Sequence, residues 1–166
     1  MEIAAIPFEL DHLFILTEIG APEAEELIAF GLVEGTSNTH PGQGTANRRF
    51  FFHNAMLELL WVHASEEAKS EVVSPTHLWE RWENRHNGTS PFGIILRPVA
   101  GFENGFENAT IFSSWEYRPP YLSGTMSIRV GNNSDILTEP ILFQISFGMR
   151  PDRFPPEKRQ HAGTSG

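Results

Sequence analysis

The chain has 166 residues, with 12 Lys and Arg against 21 Asp and Glu, a formal net charge of −9 and no cysteine. That length suits one domain, and so acidic a balance repels phosphate backbones and argues against a nucleic-acid partner. The lack of cysteine excludes disulfides, thiolate metal sites and a cysteine nucleophile, so any metal must be held by His, Asp, Glu or amide oxygen.

Residues 1–16 have no basic leading region, and Glu2, Glu9 and Asp11 interrupt their apolar residues. They do not read as a secretory signal. No apolar run approaches the roughly 18–20 residues that span a bilayer. The expectation is a soluble, cytoplasmic protein without a membrane partner, and 13 Phe with 4 Trp give it ample material for a core.

In chain order, Leu10–Leu16 is predicted as a first strand, with Leu10, His12, Phe14 and Leu16 on one face by alternation. Pro22, three glutamates and a closing Gly31 predict a short helix over 21–31, its face of Ala24, Leu27 and Ile28 lying on a sheet. Leu32–Thr36 reads as a strand and 38–45 as a glycine-rich loop. Arg48–His53 and Met56–His63 form a hairpin around Asn54-Ala55. Residues 65–70 are a connector, and Ser74 with Pro75 starts a second helix that ends before Gly88. The second half offers strands at Phe92–Arg97, Ser113–Tyr117, Thr125–Val130 and Ile141–Phe147, with at most a weak helix in Val99–Ala109. The polar, proline-containing residues 151–166 are expected to be a mobile tail.

Two chemical features stand out. His12 is a polar side chain in a mostly apolar strand, and Glu58 shares its face with Met56, Leu60 and Val62. An ionised carboxylate buried there costs several kcal/mol unless it is paired, protonated or bound to a cation. His12 and Glu58 either hydrogen-bond each other or Arg49, or they share a divalent cation such as Zn, Ni, Mn, Fe or Co. A two-residue hairpin turn puts Arg49 and Phe51 on the face of Glu58, where the guanidinium could hold a ligand oxygen or pair with an acid. His40 in its loop is either exposed or an acid/base over a pocket. Trp115 and Glu116 are candidates for lining the second half of that pocket, with Glu116 more simply a solvated strand residue. Trp79 and Trp82 read as packing residues.

The β-α-β-β-β pattern of residues 1–64, with Asp11-His12-Leu13 in its first strand and Leu57-Glu58-Leu59 in its last, resembles the vicinal oxygen chelate superfamily. The stretch from His40 to Thr45 and then Asn47-Arg48-Arg49-Phe50 is similar to its glyoxalase-like branch. The resemblance implies an α+β fold of two βαβββ modules, 1–64 and a degraded 91–150, joined by a helical connector at 65–90. Together they would form one cupped, mostly antiparallel sheet, the glyoxalase/bleomycin-resistance/dioxygenase fold. It implies a metal in the cup on His12, Glu58 and, in the second module, Gln144, with Gly93 standing where a fourth ligand would be. Glu58 or His40 would carry the proton and Arg49, Phe51 and Trp115 would bind substrate. The implied chemistry is lyase, isomerase or dioxygenase work through an enolate or oxyanion. The alternative is a metal-free module that sequesters a small molecule, as bleomycin-resistance proteins do. A homodimer fits either reading.

Overall fold

The computed structural model describes residues 7–101 and 110–154. Eight strands make one sheet: β1 (Phe8–Leu16), β2 (Asn38–His40), β3 (Thr45–Phe51), β4 (Met56–Val62), β5 (Phe92–Pro98), β6 (Ser114–Tyr117), β7 (Ile128–Gly131) and β8 (Ile141–Ile145), in spatial order β2-β3-β4-β1-β5-β8-β7-β6. Pairing is parallel for β1 with β4 and for β5 with β8, and antiparallel elsewhere.

The expected α+β fold of two βαβββ modules is overturned. The sheet is mixed, with five antiparallel and two parallel pairings, and it dominates the chain. Helix is confined to α1 (Ala24–Ala29), α2 (Ser65–Ala68), α3 (Leu78–Glu83) and single 3-10 turns. No helix joins β5 to β6 among the described residues. The physical reason is local: six residues is barely more than a turn and a half, too short for a helix that covers a sheet layer. Part of the weak helix expected at Val99–Ala109, from residue 102, lies outside the described residues, as does the expected tail from 155.

The strand at Leu32–Thr36 does not form either. The chain there is irregular, and β2 forms instead from Asn38–His40, inside the expected loop. Asn47 causes this: its Oδ1 accepts the Asn38 amide at 2.7 Å and draws the edge strand onto β3. The helix expected from Ser74 is split by His77, which adopts a left-handed φ of 57°. Thr76, rather than Ser74, supplies the side-chain oxygen to the start of α3, at 3.2 Å from the Leu78 amide. In the expected tail, Pro151–Arg153 forms a 3-10 turn with Pro151 buried, and Phe154 after it lies edge-on to Phe51.

The two faces of the sheet are covered differently. On the outer face α1 seals a small cluster of Ala21, Ala24, Phe50 and Leu59, held down by Arg48, which bonds Glu34, Glu25 and the Ala21 carbonyl. On the inner face the larger core runs from Phe14, Leu16 and Leu60 through Ile95 to Ile128, Ile141 and Phe143. Val73 and Leu78 close one side of it. Fully buried Arg81 anchors α3 there by donating to the carbonyls of Ser134, Ile136 and Glu139.

The sheet is curled until its ends meet. Tyr117, on edge strand β6, donates its hydroxyl to Gln43 Oε1 in the turn beside the opposite edge, at 2.8 Å. Pro120 packs so tightly on Gly42 that a Cβ there would lie 2.4 Å from it, a second point of closure between the ends. What this closure encloses is the candidate site. Among the described residues no helix is long and apolar enough to cross a membrane.

Candidate functional site

Inside the curl is a cavity of about 870 Å³, within the size range of small-molecule pockets. Its charged and amide side chains come from the first half of the chain, Asp11, His12, His40, Asn47, Arg49 and Glu58 among them, beside apolar Phe14, Phe51, Met56 and Leu60; the second half adds Ile95, Ile128, Phe143, Ile145 and Phe147, with Tyr117, Tyr121 and Leu122.

His12 reaches the cavity through an irregularity in β1. The register with β5 slips between Leu10 and His12, leaving Asp11 as an extra residue. After the slip His12 lies opposite Ile95 and Phe14 opposite Gly93, while Leu10 pairs with Leu96 on the outer face. The expected common face for Leu10 and His12 is thus corrected: a bulge reverses alternation, so Asp11 and His12 both line the cavity. Asp11 Oδ2 lies 2.6 Å from His12 Nδ1. Its other oxygen takes Arg97 Nη1 at 3.2 Å, and Arg97, 1% exposed, also bonds Glu9 and the Asn54 carbonyl. A carboxylate at Nδ1 favours the tautomer with the proton on that nitrogen, which leaves Nε2 as the acceptor.

Glu58 lies beside Phe14 in the β1–β4 register and directly across from Arg49 in the β3–β4 register. The hairpin loop is four residues, 52–55, rather than two; because both lengths are even, Arg49 and Phe51 still share the face of Glu58. The same alternation carries Asn47 inward, and its Nδ2 donates to Glu58 Oε2 at 2.5 Å. Arg49 does not form an ion pair with Glu58. Its Nε donates to the Thr36 carbonyl at 2.6 Å, its Nη2 to the Thr36 hydroxyl at 2.9 Å, and its plane sits 5.0 Å over the Phe51 ring. Burial lowers the Arg49 pKa, and the nearby Glu58 charge works against that.

His40 ends β2 and faces the cavity instead of solvent. Its Nδ1 shares a hydrogen bond with the Thr45 hydroxyl at 2.8 Å, and the Tyr121 ring lies 4.8 Å away. Gln43 Nε2 donates to the same hydroxyl, so the closure runs Tyr117, Gln43, Thr45, His40 without a break. Burial pushes the His40 imidazole below its ordinary value, with Glu58 acting in the opposite direction. Burial also pushes the Tyr117 and Tyr121 phenols up, so both remain hydroxyl donors at neutral pH.

The structure therefore brings together His12, His40, Arg49, Phe51 and Glu58, and leaves two expected residues elsewhere. Gln144 sits on β8 between Phe143 and Ile145, which line the cavity, and alternation turns it to the other face. Trp115 packs on the core, 6.0 Å from Tyr117, with its Nε1 donating to the Ser134 hydroxyl. Trp82 donates to the Thr17 carbonyl, and Trp79 lies against it.

The fit of a metal can be tested on the donors. Among the described residues no three His, Asp or Glu side chains are grouped as a cation would require. Gln144 faces away, and Gly93 has the Phe14 ring where a side chain would stand. Of the expected ligands only His12 and Glu58 keep to the cavity, fewer than the three protein ligands typical even of open catalytic sites, and the nearby His40 and Asp11 are engaged with Thr45 and Arg97.

Sequence reasoning missed Asn47, Gln43 and Tyr121. The parity that places Arg49 inward also places Asn47 and Thr45, so those two were within reach. Tyr121 sits in an aperiodic loop after Pro119-Pro120 and gave no signal.

No family model and no curated protein matches the chain. A solved hypothetical protein from Bacillus halodurans C-125 is similar over 84% of this chain and 94% of its own, with a TM-score of 0.52 at 12% identity. One from Staphylococcus aureus covers 84% of this chain and 59% of its own, with a TM-score of 0.41 at 14% identity. The first likeness is one of fold and says nothing of activity.

Proposed function

We propose that this chain is a small-molecule binding protein whose ligand is amphiphilic, its polar head among His12, His40, Asn47 and Glu58 and its apolar body against the second half of the sheet. The observation that carries the reading is an 870 Å³ cavity whose charged and amide groups all come from the first half of the chain, while the second half lines it with apolar and aromatic side chains. Apolar walls supply most of the affinity, and a few fixed polar groups orient the ligand. Kinship with the metal-free, sequestering members of the vicinal oxygen chelate superfamily belongs to this reading, as does a cytoplasmic location, which suits an acidic chain without cysteine.

The test uses N-phenyl-1-naphthylamine, an uncharged probe that fluoresces in apolar surroundings. The full chain should bind it saturably at one site. Leu122→Trp, which fills the cavity from a half-buried loop position, should weaken binding at least tenfold with little change in melting temperature. Probe binding that does not saturate, or that Leu122→Trp leaves intact, rejects the reading.

A further inference from the structure

The head of that ligand can be read from the charges around it. Two acids line the cavity. Asp11 pairs with Arg97, which it shares with Glu9, and is held to His12. Glu58 is different: it is 6% exposed, its one hydrogen bond comes from the neutral Asn47 amide, and it forms no ion pair among the described residues. Oε1 thus has no donor among the described residues and faces the space of the cavity. A largely buried carboxylate with a single neutral protein partner is costly, and a cation placed against its other oxygen removes most of that cost.

The neighbouring groups favour a cation there over other occupants. Arg49 stands across the strand pair, but its donors turn to Thr36 at the rim, so it acts on Glu58 through its field rather than by contact. Burial keeps the facing His40 uncharged at neutral pH. Phe14 adjoins Glu58, and Tyr121 and Phe143 add further ring faces to the cavity lining. Aromatic surfaces beside a carboxylate form the environment that receives an organic ammonium. A net charge of −9 draws cations to the protein from solution. A bare metal ion would lack donors, and an anion would meet Glu58.

We propose that the natural ligand carries an organic ammonium group seated on Glu58, with an apolar or aromatic body extending over Ile95 and Phe143. The inference rests on the binding reading above, and its test separates the two. Three probes share one ten-carbon skeleton and differ at its last carbon: 4-phenylbutylamine, 4-phenylbutan-1-ol and 4-phenylbutyrate. Titration calorimetry of the full chain at neutral pH should rank the amine tightest and the butyrate weakest. The amine should bind at least about tenfold tighter than the alcohol, the effect expected of one charge-assisted hydrogen bond. Glu58→Gln keeps the shape and removes the charge, and should bring amine and alcohol within about twofold of each other. If Glu58→Gln fails to fold, N-acetyl-4-phenylbutylamine replaces it, since it keeps an N–H donor without charge and should bind no better than the alcohol. An alcohol that binds as tightly as the amine, or an amine preference that survives Glu58→Gln, overturns the ammonium assignment and leaves the cavity reading standing. No saturable binding of any of the three overturns both.

Discussion

Phe14 and Gly93 lie opposite each other across β1 and β5, and the Phe14 ring covers the space that a side chain at 93 would need. A Cβ on Gly93 would come 2.1 Å from Phe14 Cε1. Phe14 is 2% exposed and belongs to the inner core, so the ring has little room to give way. The position at which the superfamily resemblance would place another ligand is therefore occupied by packing. Gly93→Ala should destabilise the protein by about 1–3 kcal/mol, as overpacking does. In a Phe14→Ala background the same change should cost much less, because the clash has gone. Urea denaturation of the four proteins in the cycle checks this, and additive effects would show that the ring moves freely.

The same geometry governs metals. With Gly93 covered and Gln144 turned away, saturating Zn, Ni, Mn, Fe or Co should raise the melting temperature no further in the wild type than in Glu58→Gln. A rise of more than about 4 °C confined to the wild type, equivalent to about 1 kcal/mol or more of binding linkage, would restore a metal on His12 and Glu58.

Asn47 joins two structures: its Oδ1 fixes edge strand β2, and its Nδ2 serves Glu58. It is 1% exposed. Asn47→Ala should cost about 1–3 kcal/mol, much of it from the carboxylate left without a donor. Combining it with Glu58→Gln should recover part of that loss, because the stranded charge is then absent. A double variant as unstable as the sum of the two single variants would separate Asn47 from Glu58 energetically.

His40 gives the fold a pH dependence of defined sign. Its folded value lies below the ordinary 6.5, chiefly through burial, with Arg49, His12 and His63 adding to the shift and Glu58 opposing it. The folded state therefore binds fewer protons there than the unfolded chain. This contribution to stability is complete above about pH 6.5 and is lost as pH falls from there through the folded value. Between pH 7.5 and 5 the wild type should lose more melting temperature than His40→Gln, which keeps a hydrogen-bonding group beside Thr45 without the titration. Parallel curves for the two proteins would place His40 in water.

Residue patterning made much of the sheet legible. The hairpin of β3 and β4 was readable from two β-rich runs, and the inward turn of Arg49, Phe51 and Glu58 followed from alternation across an even loop. β5 to β8 lay close to their expected positions because each is a short apolar or alternating run with Gly, Pro or Asn nearby. The helices were read less well: α1 is shorter than its glutamates and Gly31 suggested, and His77 breaks the helix expected from Ser74. Local composition marks where a helix can start, but tertiary packing decides how much of it survives.

Sequence alone determined that the protein is acidic, lacks thiols, is rich in aromatic residues and carries His12 and Glu58 in apolar strands. Those facts follow from residue type and period-two alternation, which act over a few neighbouring positions. Only the tertiary structure decided which of these residues meet. The bulge that turns Asp11 toward His12, the closure of Tyr117 onto Gln43, the Phe14 ring over Gly93 and the outward turn of Gln144 depend on contacts or pairings between distant segments. Register is set by the summed packing of whole strands, so a single slipped residue can send a candidate ligand to the opposite face. It is this register that makes Glu58 a buried carboxylate facing open space.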